Sequence, residues 1–209
     1  MPLALRICHD VAMHGRDLSL WARSLLLAAT LAGCVTPPAP PPARQPSAAP
    51  AARAPKGPQA GTEITSDCGI SRLRDSVLKQ VNAARAVARS CGAQRMHAVR
   101  PLAWDRTLAE AAEQHSVDMV ARRYFDHVSP DGKRVSQRVT AQGYKWRMVG
   151  ENLAGGDTTV PAVIAGWLGS PEHCQNLMSP AYADVGAACV QQPGSHWGTY
   201  WTLVLATRR

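Results

Sequence analysis

The sequence predicts an α+β domain with an antiparallel sheet, and three observations carry that expectation. Helical periodicities occupy the first part of the domain, β-type runs occupy its end, and a Pro-Gly turn separates the last two runs. Helix one is expected from about Ser71 to Ser90, where Leu73, Val77, Val81, Ala84 and Ala88 recur at helical spacing before Gly92. Helix two is expected from about Arg106 to Arg122. There Leu108, Ala111, Ala112, His115 and Met119 share one arc, so His115 sits in the middle of an apolar stripe. A shorter third helix is expected from Val135 to Gln142, before Gly143. A fourth starts near Thr159, with Pro161 in its first turn and Val160, Val163, Ile164 and Trp167 stacked on one side. Met148-Val149 is a candidate short strand. The runs from Asp184 to Val190 and from Gly198 to Ala206 are β-type and flank Pro193-Gly194.

The domain occupies residues 61–209, and what precedes it differs in kind. Residues 35–60 hold 9 of the 16 prolines and 8 alanines. Such a stretch cannot bury a core and reads, with Cys34, as a partly extended linker over 34–60. Residues 1–33 have the form of a secretory signal. Arg16 and Arg23 precede a short apolar run, Leu25 to Ala32, well under the roughly 20 residues a spanning helix needs. The signal begins at Met1 or Met13. Leu31-Ala32-Gly33-Cys34 resembles the lipobox of bacterial lipoproteins, which implies cleavage before Cys34 and lipid on its thiol; the alternative is a plain signal or an uncleaved anchor. The expected location is therefore the cell envelope, at the outer membrane if the organism has two membranes.

Composition narrows the function classes. Hydrophobic residues at 45% and charged residues at 18% exclude a disordered or fibrous chain. Residues 35–209 carry 20 Lys and Arg against 13 Asp and Glu, a net charge of +7. The arginines are scattered without interleaved aromatics, and an exported protein does not meet nucleic acid, so no nucleic-acid partner is expected. Cys68, Cys91, Cys174 and Cys189 form an even set in a chain bound for an oxidising compartment. Three pairings are possible. The local one, Cys68–Cys91 with Cys174–Cys189, is the expectation, each bridge contributing about 3 kcal/mol in the loop-entropy account.

Several segments together resemble the bacterial branch of the CAP superfamily (cysteine-rich secretory proteins, antigens, pathogenesis-related proteins). These are Val81-Asn82-Ala-Ala-Arg85, Pro101-Leu-Ala-Trp-Asp105, Ala112-x-x-His115-Ser116-x-Asp118-Met119 and Tyr124-Phe125-x-His127-x-Ser129-Pro-Asp-Gly132. They continue with Gly143-Tyr144, Gly150-Glu151-Asn152-Leu153, Trp167-x-x-Ser170-Pro171-x-His173, Asn176-Leu-Met and Tyr182-x-Asp-Val-Gly186. The resemblance implies an α-β-α sandwich with a central antiparallel sheet between helical layers. It also implies a cleft lined by His115, Glu151 and His173, with Ser170 and Asn152 at its edge. Animal and plant members carry a second glutamate where this chain has Ser170, so the acidic set is incomplete here. Cys174 stands where many bacterial relatives have arginine, which fits its use in a bridge.

This constellation supports limited chemistry. Two neutral imidazoles can hold Zn²⁺ or another divalent cation, and a catalytic zinc takes three protein ligands and an open water position. If Glu151 is the third ligand, no general base remains; if Glu151 is the base, only two ligands remain. Ser116 beside His115 is no nucleophile pair, because adjacent helix positions diverge by about 100°. His127, His97 and His196 have no partner at a ligand spacing. The preferred expectation is a monomeric, lipid-anchored binding module for a lipid, glycan or protein ligand, with an optional divalent metal in the His/Glu cleft, no required cofactor, and binding favoured over catalysis. A metal-assisted hydrolase and a purely structural lipoprotein are the alternatives.

Overall fold

A computed structural model describes residues 9–12 and 64–209. The lipobox, Cys34 and the Pro/Ala linker lie outside the described residues. In chain order the elements are β1 (His9–Ala12), β2 (Thr65–Ser66), α1 (Leu73–Arg85), β3 (Arg89–Cys91), β4 (Gln94–Met96), β5 (Ala103–Trp104), α2 (Arg106–Arg122) and α3 (Val135–Ala141). Then come β6 (Trp146–Gly155), α4 (Val160–Gly169), α5 (Pro171–Leu177), β7 (Asp184–Gln191) and β8 (Thr199–Arg208). The main sheet has the order β1-β6-β8-β7-β2, with β5 added in parallel against β7. The other pairings are antiparallel, and β3 with β4 forms a separate hairpin.

The two-residue period of the central strands divides the core into two layers. Val185, Ala187 and Cys189 of β7 and Trp201, Leu203 and Leu205 of β8 join Leu73, Val77 and Val81 of α1 and Val163, Ile164 and Trp167 of α4. The alternate positions face the other way. Ala188, Val204, Ala206 and Val149 pack on Leu108, Ala111 and Ala112 of α2 and on Val135 and Val139 of α3. Toward the far end of α2, Met119 and Val120 meet Leu153, Val190 and Tyr200. An α-β-α sandwich results, with α2 and α3 on one face and α1 and α4 on the other.

Gly186 sets the closeness of α2 to the sheet. A Cβ built there would lie 2.1 Å from the backbone nitrogen of Ala109 and 2.4 Å from the carbonyl carbon of Leu108. Asp105 caps α2 by accepting from the Leu108 N–H at 3.1 Å. Buried Arg85 at the end of α1 ties three segments together: its side chain donates to the carbonyls of Arg100, Leu177 and Ser179.

Three expectations are corrected, and one helix is added. Helix one ends at Arg85 rather than Ser90, because the chain turns into the β3–β4 hairpin around Gly92, whose φ is +61°. The short strand expected at Met148-Val149 is β6, ten residues long and paired with β8 from Trp146↔Arg208 to Gly155↔Tyr200. The fourth helix is followed by α5, which restarts at Pro171 after the extended Ser170. Finally, the disulfides join Cys68 to Cys189 and Cys91 to Cys174, not the sequence neighbours. Cys68 sits in a short 3₁₀ turn packed against β7, and Cys174 on α5 packs on the hairpin whose first strand ends in Cys91. These bridges span 121 and 83 residues, so each removes more chain entropy than a local one, roughly 4.5 kcal/mol against about 3.

Candidate functional site

Glu151 is the centre of the site. It lies on β6 between Val149 and Leu153, on the sheet face covered by α2 and α3, and its side chain is fully buried. Both carboxylate oxygens are engaged. Oε2 accepts from Nη2 of Arg138 at 2.7 Å, and Oε1 accepts from Nδ1–H of His127 at 2.7 Å. Arg138 comes from α3, on the same side as Val135 and Val139, and its Nη1 also donates to the carbonyls of His127 and Lys133. The guanidinium thus fastens the 127–133 loop to the carboxylate. Burial alone pushes the Glu151 carboxyl up, but the Arg138 charge and the His127 hydrogen bond outweigh it and hold it at about 2.

His115 lies beside this pair without joining it. Its Nε2 is 3.9 Å from Oε1 of Glu151 and 3.0 Å from the carbonyl oxygen of Asp126, to which the neutral ring donates. Its Nδ1 is 3.3 Å from the Tyr124 hydroxyl, which donates to Asp118 at 2.6 Å. Burial lowers the His115 pKa to about 4, opposed in part by the Glu151 charge, so the ring is neutral at pH 7. Burial and the Asp118 contact raise the Tyr124 phenol to about 12. His115 is therefore a hydrogen-bonded core histidine that pins the turn after α2.

The remaining expected residues make other contacts. Asn152 is the neighbour of Glu151 on β6, and its side chain bridges to α5: Nδ2 donates to the His173 carbonyl at 3.2 Å and Oδ1 accepts from Asn176 at 2.8 Å. Asn176 also donates to the Glu151 carbonyl at 3.2 Å. His173, expected to be accessible, is buried on α5. Ser170 is the half-buried extended residue that separates α4 from α5. The histidine that does meet Glu151 is His127, for which the sequence offers no partner. Its Nε2 is buried and has no hydrogen-bond partner among the described residues.

These donors do not fit the metal set His115, His173 and Glu151. The His115 Nε2 proton is given to a backbone carbonyl, the Glu151 oxygens are given to Arg138 and His127, and a dication there would sit against a guanidinium. Among the described residues no three His, Cys, Asp or Glu side chains converge as a metal-holding group. The same contacts fit Glu151 poorly to general base catalysis, which favours a pKa near the working pH.

The sandwich, its four paired cysteines and this buried Glu–Arg–His cluster define a small, cross-linked domain of α-β-α type. The sequence profile of the cysteine-rich secretory protein (CAP) family matches residues 78–205, well over half of the chain, and the chain belongs to that family. It is 28% identical over 139 residues to YkwD of Bacillus subtilis, described there as uncharacterized, covering 66% of this chain and 50% of that protein. The chain thus spans about half the length of that relative. Among solved structures it is similar to an extracellular protein containing a SCP domain from Bacillus anthracis. That match has a TM-score of 0.53 and 25% identity, over 65% of this chain and 40% of the other. An outer surface protein of Borrelia burgdorferi shares the fold, with a TM-score of 0.52 and 18% identity over 66% and 90% of the two chains.

Proposed function

We propose that this CAP-domain chain is an exported module of the cell surface that binds a lipid, glycan or protein ligand of the envelope or host and does not transform it. In this reading the lipid on Cys34 anchors it and the Pro/Ala linker holds the domain away from the membrane. Location outside the cytoplasm is supported by the extracellular description of its Bacillus anthracis neighbour. Binding without catalysis is supported chiefly by one observation: the fully buried carboxylate of the cluster, Glu151, is spent on Arg138 and His127. The cluster fastens the loop after α2 to the sheet, and the surface around that loop is left to recognise a ligand.

The unpartnered Nε2 of His127 favours one second reading, a hydrolase. A carboxylate that holds Nδ1–H leaves Nε2 as the basic nitrogen, the arrangement by which an imidazole activates a nucleophile or a water. Incubation with peptide and cell-wall polymer substrates, with and without added Zn²⁺, separates the two. The binding reading expects no products above background under either condition. Turnover that disappears in His127→Ala would replace it with the hydrolase.

A further inference from the structure

A large open cleft among the described residues lies at the end of α2, beside Tyr124. Its volume is about 1020 Å³, room for a ligand of several rings. It runs between the end of α2, the Arg123–Phe125 turn and the β7–β8 turn that contains Trp197. Phe125 forms the centre of its aromatic floor, 5.2 Å from the Trp197 ring and 6.3 Å from the Tyr200 ring. Trp197 is pressed on Gly155 at the end of β6, where a Cβ would lie 3.0 Å from the indole, and His196 meets the indole edge-on at 4.6 Å. These rings are preset. The β7–β8 turn is closed by the Gln192 N–H on the Gly198 carbonyl at 2.8 Å, and by Ser195, whose hydroxyl donates to the Gln192 carbonyl and accepts from the Gly198 N–H. On the other wall Arg123 is held in the left-handed conformation, φ +55°, with an exposed guanidinium. Among the described residues that guanidinium has no ion pair or hydrogen bond, whereas its neighbour Arg122 is paired with Asp118 and Asp131.

We infer that this cleft is a binding site for an acidic oligosaccharide, with sugar rings packed on Trp197 and Phe125 and a carboxylate held by Arg123. Pyranose rings present C–H faces to aromatic rings and hydroxyls to flanking polar groups, and the cleft offers both kinds of surface side by side. The planar guanidinium matches a carboxylate with two parallel N–H donors. An acyl chain would instead call for an enclosed apolar channel, whereas this rim carries Arg123 and His196.

This inference rests on the binding reading above, and its test keeps the two apart. The purified full chain is titrated calorimetrically with tetragalacturonate, with neutral maltotetraose and with phosphatidylglycerol vesicles, and the saccharide is recovered for mass spectrometry. Tetragalacturonate is expected to bind, maltotetraose to bind about tenfold more weakly or not at all, and Arg123→Gln to remove that difference. His196→Ala, a second change on the rim, should weaken tetragalacturonate without altering the melting temperature. Failure of tetragalacturonate to bind, equal affinity for the neutral sugar, or Arg123-dependent binding of the vesicles alone would each overturn the site. Recovery of shortened saccharide would keep the site and overturn the binding reading.

Discussion

Arg138 and Glu151 show at the residue scale why a buried charge dictates its surroundings. A carboxylate under a sheet face is tolerated because a guanidinium and an imidazole N–H satisfy both oxygens. Glu151→Gln should therefore be strongly destabilising, about 3 kcal/mol, because it leaves Arg138 charged and unpaired in the core; chemical denaturation checks this. Protonation acts on the same cluster. His115 is depressed to about 4 from an ordinary 6.5, so the unfolded chain takes up its proton first and stability falls as pH drops from about 6.5 toward 4. That loss should reach about 3 kcal/mol. Glu151, depressed to about 2, contributes stability that is complete above about 4.5 and is lost as pH falls through 2. His115→Gln should flatten the pH dependence of the melting temperature between 6.5 and 4 and leave the lower step in place.

Elements explain what the sequence shows and what it hides. Helix two is legible to its ends, Arg106–Arg122, because a capping aspartate, an apolar stripe and a basic last turn agree locally. Strand β6 is nearly invisible. Gly150, Glu151 and Asn152 are poor strand formers, and pairing with β1 and β8 together with a buried cation partner fixes them in extended form. Arg138 carries the missing signal: it shares the inner face of α3 with Val135 and Val139, a place where a cation must find a buried anion. His127 sits in an irregular loop, where no period reports its direction. The disulfides escape a sequence reading for a related reason, since nearness along the chain says little about which elements stack. Gly186→Ala tests the element packing. Its Cβ would strike the backbone of α2, and a loss of about 1–3 kcal/mol or more is expected in thermal melts.

For the whole molecule, a sandwich sewn by two long-range bridges carries an open aromatic cleft, and in the proposed reading the 34–60 linker sets it apart from the envelope. The anchor is tested by Cys34→Ser, which should move the protein from the membrane fraction to the soluble exported fraction. If that variant still sediments with membranes, another anchor is at work. Strand β1 falls within residues 1–33, so a mature chain beginning at Cys34 would have β6 as its sheet edge. The central claim is that the Glu151 cluster is a structural clamp under the loop after α2 rather than a reaction centre. Its most direct test is the unfolding free energy of Arg138→Met relative to the parent chain. The clamp predicts a loss of about 3–5 kcal/mol, because the variant strands a fully buried carboxylate. A loss under about 1 kcal/mol would show that Glu151 tolerates isolation, as a solvated catalytic carboxylate does, and would contradict the account.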